Sequence, residues 1–324
     1  MKNAISTTID STEQQAQYDA SVKRLLSEKI ILAWILKECV TEFKPFSISQ
    51  IVKDCIEGEP QISIIAVDPD ELDKDVELAG TQIEGMNTED NSVREGKIFY
   101  DIRFTAHVPG SKEPVQLIIN IEAQKSSRTT YPLIKRAVYY VSRMISAQKN
   151  TVFTKSHYEK IRKVYSIWIQ MNVDTGKENT ITEYAIKERN VIGKVREPAP
   201  DYDLLTIVMI GLGKAEDAGD KPILKLLDVL LSMEKRPDEK KTILENDFNI
   251  PMSVSIDKEV NEMCNLGEGI AERTVQKTQA DIVLHMVQNK NYSMDEALEV
   301  IGVSEDEKET IKGLVDSKIA VVDL

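Results

Sequence analysis

The chain has 324 residues, 41% of them hydrophobic and 29% charged, which excludes both a small cross-linked scaffold and a disordered chain and fits two or three domains of ordinary size. Forty-one Lys and Arg stand against 54 Asp and Glu, a net charge of -13 that excludes coating nucleic acid by bulk charge yet allows a local basic patch. Cys39, Cys55 and Cys264 are odd in number and lack CxxC spacing, so neither a disulfide framework nor a zinc knuckle is expected. No run of about 18 apolar residues and no secretory core at the N-terminus is present, so the expectation is a soluble cytoplasmic protein with no membrane partner.

In chain order, residues 1–20 are polar and rich in Ser, Thr and Gln and read as a mobile leader. From Ser21 to Phe43 the apolar residues Val22, Leu25, Leu26, Ile30, Leu32, Leu36 and Val40 recur at three- and four-residue steps, predicting one helix that ends at Lys-Pro-Phe-Ser, 44–47. Residues 53–95 carry thirteen acids and three bases around one strand-like run, 62–67. The β-branched and aromatic runs KIFYDIRFTAHV (97–108) and VQLIINIEAQK (115–125), joined by PGSKEP, predict a hairpin. A helix follows from Pro132 to about 148, then strands at 164–173, 181–189 and 204–212, and a helix opened by Pro222 and reaching about 234. These elements assign 21–215 to an α/β or α+β core and 216–255 to its helical extension. From 256 to 324 the pattern is helical throughout, with helices at 256–288, 293–302 and 304–315, the last two opened by Ser N-caps. Lys308 and Lys312 lie among Glu305, Asp306, Glu307 and Glu309, which favours packing or homo-oligomerisation over DNA reading for this region.

Chemistry concentrates in the hairpin. A turn symmetric about Ser111 and Lys112 pairs Asp101 with Glu122, Arg103 with Asn120 and Phe99 with Gln124. Facing carboxylates repel, so such a pair calls for a cation between them, and two oxygen donors on strands are what Mg²⁺ takes from a protein. The alternative is two structural ions, Asp101 held by Arg103 or a helix end and Glu122 by a lysine.

The array of the 21–43 helix, FYDIRF, IINIEAQK, a basic helix and VYSIWIQ resembles the PD-(D/E)xK nuclease superfamily, in its bacterial transposase-like, recombination-promoting branch. The resemblance runs over about 21–215, and MCNLGEGIAER (263–273) leading into short helices is similar to the same branch. It implies an α/β, restriction-endonuclease-like mixed sheet flanked by helices with an all-helical C-terminal region. It implies Mg²⁺, with Mn²⁺ as an alternative, on Asp101 and Glu122, with the carbonyl of Ala123 and an acid of the first helix, Glu28 ahead of Glu38 and Glu42, as further ligands. Two positions depart from the motif: Tyr100 stands where Pro is usual, and Gln124 occupies the lysine position. A lysine can stabilise developing charge, whereas a glutamine can only orient a water; E-x-Q nevertheless resembles many members of this branch. Lys125 alternates to the other face unless a bulge turns it.

Between Lys125 and Lys163 lie ten bases and one acid, Glu159, interleaved with Tyr131, Tyr139 and Tyr140. Such a stripe suits a DNA backbone; a solvated face paired with the acidic 53–95 segment is the alternative. The resemblance implies phosphate contacts at Lys125, Arg128, Arg136 and Tyr140. His107, His157 and His285 lack ligand spacing, GLGKAEDAG (211–219) is a turn rather than a phosphate loop, and Trp34 and Trp168 read as core. The resulting expectation is a metal-dependent DNA endonuclease serving recombination or mobile elements; the alternative is a catalytically silent nuclease fold acting as an interaction or DNA-binding module.

Overall fold

The computed structural model describes residues 4–56, 58–62, 89–92, 96–99, 101–110, 114–122, 131–171, 173–214, 217, 219–232 and 235–322. They fall into two compact units, one of residues 20–232 and 238–260, the other of 1–19, 233–237 and 261–324.

The larger unit is built on a six-stranded mixed sheet. Its strands are β1 (Gln61–Ile62), β4 (Ile102–His107), β5 (Pro114–Glu122), β6 (Val164–Gln170), β7 (Thr180–Ala185) and β8 (Leu205–Gly211). Their order is β1-β4-β5-β6-β8-β7, with β5, β6 and β8 parallel and both edges antiparallel. Six consecutive residues of β6, Val164 to Ile169, are buried, as befits a parallel strand covered on both faces. Helix α4 (Leu133–Ser146) covers one face, where Ala137, Tyr140, Val141 and Met144 pack with Val164, Trp168 and Ile207. These are the i, i+3, i+4, i+7 positions of one helix stripe. On the opposite face Ile102, Phe104, Ala106, Tyr165, Ile167 and Ile169 are buried. Short β2 (Glu89–Ser92) and β3 (Gly96–Phe99) form a separate two-stranded ladder.

Around the sheet lie the end of α1 (Ala4–Leu26), α2 (Lys29–Cys39), the 3-10 turn Thr41–Phe43 and α3 (Ile48–Gln50), which a Ser47/Gln50 capping box opens and a π-helical turn, Ile51–Cys55, continues. Further on come α5 (Ala199–Tyr202), α6 (Pro222–Leu231), α7 (Pro237–Phe248) and the first turns of α8 (Val254–Lys290). Helices α2 and α6 pack together, and Trp34 meets Phe248 edge to face at 5.5 Å. The smaller unit holds the rest of α1 and α8 with α9 (Met294–Val300) and α10 (Glu305–Val322). Its core joins Ala280 and Val283 of α8 to Ala297 and Leu298 of α9 and Ile311 and Val315 of α10.

The mixed sheet flanked by helices and the helical C-terminal region match expectation, and three details differ. Residues 4–20, read as a leader, belong to α1, because Tyr18 extends the Val22, Leu25 stripe by one turn and is buried. The single helix of 21–43 is two: the Ser27 hydroxyl donates to the Arg24 carbonyl, and Glu28 takes an extended backbone (φ -58, ψ 128) ahead of α2. The hairpin run 97–108 is also two strands, broken by a bend at Asp101, and its register is offset from a turn symmetric about Ser111 and Lys112. Arg103 pairs with Ile118 rather than Asn120, and Phe99 pairs with Glu89 in the other ladder. Gly110, in the connection between the two strands, adopts φ 84, which glycine takes without strain. The direct Asp101–Glu122 pairing is therefore corrected by two residues, an even offset that leaves the alternation of the strands intact.

Candidate metal and nucleic-acid site

Asp101 sits at the bend that opens β4, immediately before Ile102, whose partner is Ile119 of β5. Glu122 ends β5 and is paired in the backbone with Gln170 of β6. Because β4 runs antiparallel to β5, the two positions come to the same end of the sheet, about 7 Å apart along the strand direction at 3.3 Å per residue. The structure thus brings the positions of Asp101 and Glu122 together without placing them opposite each other. Ala123, Gln124, Lys125 and Arg128 lie outside the described residues, as does the side chain of Glu122.

The partner of Asp101 is a residue that sequence reasoning missed. Lys23 of α1 places its Nζ 2.8 Å from Asp101 Oδ1, with the lysine 3% and the aspartate 23% exposed. Lys23 is surrounded in sequence by Val22, Leu25 and Leu26, all buried. A lysine inside an apolar helix stripe is the signal that marks it, since a buried ammonium needs an anion.

Glu28 is the N-cap residue of α2, and its carboxylate accepts a hydrogen bond from the Ser255 hydroxyl of α8. Glu42 lies elsewhere, at the opposite end of β6, where it accepts from Lys163 (2.9 Å) and from the Tyr165 hydroxyl (2.6 Å). Lys163 also donates to Asp203 at 2.6 Å. Burial raises the Glu42 carboxyl, but the bonds from Tyr165 and Lys163 outweigh it and hold the group below its ordinary value. Burial likewise disfavours the Lys163 ammonium, and its two carboxylates more than restore it. This network borders a cavity of about 520 Å³ that Glu183, Lys187 and Tyr202 also line.

Among the described bases of the 125–163 run, Lys135, Lys149, Lys155 and Lys160 are exposed, whereas Arg136 and Arg143 are held by aromatic side chains. Arg136 lies 5.3 Å over the Tyr140 ring and 5.7 Å over Trp168, and its guanidinium donates to the Tyr140 hydroxyl at 3.2 Å. Tyr140 itself is buried against Trp168, so Arg136 is the half-exposed member of the pair. Arg143 is buried and reaches the Tyr139 hydroxyl. Trp168 is the register partner of Asn120, two residues before Glu122, so Arg136 belongs to the same side and end of the sheet as the strand pair β4–β5. His157 pairs with Glu159, and Gly211, the last residue of β8, lies against the turn before β7, where a Cβ would meet the Lys177 carbonyl at 2.3 Å.

A divalent cation suits the donor chemistry of Asp101. The carboxylate is partly exposed and offers about four lone-pair sites, with Lys23 at Oδ1. Among the described residues no group of three or more His, Cys, Asp or Glu could hold a metal ion. No described helix is long and apolar enough to cross a membrane.

A family model described as PD-(D/E)XK nuclease family transposase matches residues 77–262, more than half of the chain. No curated protein and no solved structure matches it.

Proposed function

Since the chain belongs to the PD-(D/E)XK nuclease family transposases, we propose that it is a metal-dependent DNA endonuclease whose site is the sheet end shared by Asp101 and Glu122. The observation that carries this reading is the convergence of those two positions at a strand end flanked by Lys23 and, one strand further, by Arg136 over Trp168. Asp101 and Glu122 would hold Mg²⁺ or Mn²⁺, with the Ala123 carbonyl and Glu28 as candidate further ligands. The bound metal supplies Lewis acidity and a water of lowered pKa. Lys23 fixes the direction of the Asp101 carboxylate. Gln124 orients a water by hydrogen bonding, and Lys125, Arg128 and Arg136 hold phosphate oxygens.

Cleavage of supercoiled plasmid and single-stranded DNA with Mg²⁺ or Mn²⁺ tests the proposal. The expected result is cleavage by the natural chain, loss in Asp101→Ala with DNA binding retained, and equal or greater cleavage in Gln124→Lys. A second reading, a silent nuclease fold serving as a binding module, is favoured by Gln124 and by the Lys23 ammonium that already neutralises Asp101. Activity confined to Gln124→Lys, or none in any variant, selects it.

A further inference from the structure

The far corner of the sheet carries a feature that the proposed site does not use. Edge strand β7 ends at Ala185, paired with Thr206 near the start of β8, whereas Glu122 lies at the level of Gly211 and Asp101 two residues short of it. The chain then runs as a loop from Ile186 to Pro198 in which every residue is exposed. The loop is fixed by its own bonds: the Glu188 carboxylate accepts from the Asn190 side chain (2.7 Å) and the Glu197 backbone N–H (3.0 Å), and the Asn190 side-chain Oδ1 accepts from the Val195 N–H (2.6 Å). Gly193, at φ 75, turns the tip.

At that tip Val191 is 78% and Ile192 94% exposed. Flanking them, Lys187, Arg189, Lys194 and Arg196 form no side-chain hydrogen bond or ion pair among the described residues. Of the two acids, Glu188 is committed to holding the loop. Four unpaired cations around an apolar tip are anomalous on a chain of net charge -13. Cations that fix a backbone and an aliphatic wedge that enters between base steps are the two parts of a minor-groove contact. A tip held rigid before binding loses little freedom on contact.

We propose that the 186–198 loop is a second, non-catalytic contact for double-stranded DNA. In it, Arg189, Lys194 and Arg196 neutralise phosphates, and Val191 and Ile192 enter the minor groove. The proposal rests on the nuclease reading for its choice of DNA. From β4 to β7 and from Gly211 to Thr206 the diagonal of the sheet is about 25 Å, shorter than the ~34 Å of one duplex turn, so one duplex is long enough to meet both corners.

The test is fluorescence anisotropy with the full chain in EDTA and a labelled duplex of about two turns, across a salt series. The double variant Lys194→Ala, Arg196→Ala is expected to lower the slope of log affinity against log salt by about 1.8, at 0.9 per phosphate contact. The double variant Val191→Ser, Ile192→Ser is expected to weaken duplex binding about tenfold with the slope unchanged and single-stranded binding unaffected. Thermal midpoints of both variants stay at the natural value. Wild-type affinity in both variants, no duplex binding by the natural chain, or loss confined to phosphatidylserine vesicles overturns the proposal. Because the readout needs no metal, the two proposals fail separately: a chain that binds with these losses but never cleaves rejects only the endonuclease, and one that cleaves while the variants bind normally rejects only the loop.

Discussion

Lys23 and Asp101 show how a single ion pair ties a helix to a strand end. Removing the ammonium takes the 2.8 Å cation from a partly buried carboxylate, so Lys23→Met is expected to cost roughly 2 kcal/mol, less than a fully buried pair because Asp101 reaches solvent. Urea unfolding measures it, and adding Asp101→Asn should restore most of the loss. The Glu42, Lys163, Tyr165 cluster gives a pH dependence with a definite sign. Its carboxyl lies below the ordinary 4.5, so the stability it contributes is complete above that value and disappears as pH falls through the lower folded one. Thermal midpoints followed from about pH 5 to pH 3 should fall less steeply in Glu42→Gln than in the natural chain. In sequence, Glu42 is one of three acids on the first predicted helix, behind Glu28 as a candidate ligand. Only its contacts with Tyr165 and Lys163 separate it from Asp101's end of the sheet, because a carboxylate carries no mark of the partner it will meet.

At the scale of elements, the helices of the C-terminal region depend on their caps. Ser293 accepts from the Glu296 N–H at 3.3 Å while its own N–H donates to the Glu296 carboxylate at 2.8 Å. Helix α9 is only seven residues long, so Ser293→Ala should cost about 1 kcal/mol and speed amide exchange through α9 and its contacts with α8 and α10. The Ser293 N-cap was readable directly, as were β6, β8, α4 and α6, because periodicity and caps are local signals. Boundaries set by side-chain bonds were not. Ser27 ended α1 early, and Glu188 withdrew the chain from the ladder so that β7 stops at Ala185 instead of continuing to 189.

Over the whole molecule, Cys39, Cys55 and Cys264 are free and buried in the two units, and burial pushes the Cys39 thiol up to about 12. A thiol reagent should therefore label none of the three rapidly in the native chain and all three in denaturant, with no change on reduction. By itself the sequence determined the alternation of strands and helices, the family, the helical character of 256–324 and the candidate acids, each of which is a pattern within a short window or a motif. The tertiary structure alone decided the register of β4 on β5, the pairing of Lys23 with Asp101, the stacking of Arg136 on Trp168 and the exposure of Val191 and Ile192. Those depend on which distant segments meet, and one bond across the fold moves them while the local pattern stays the same.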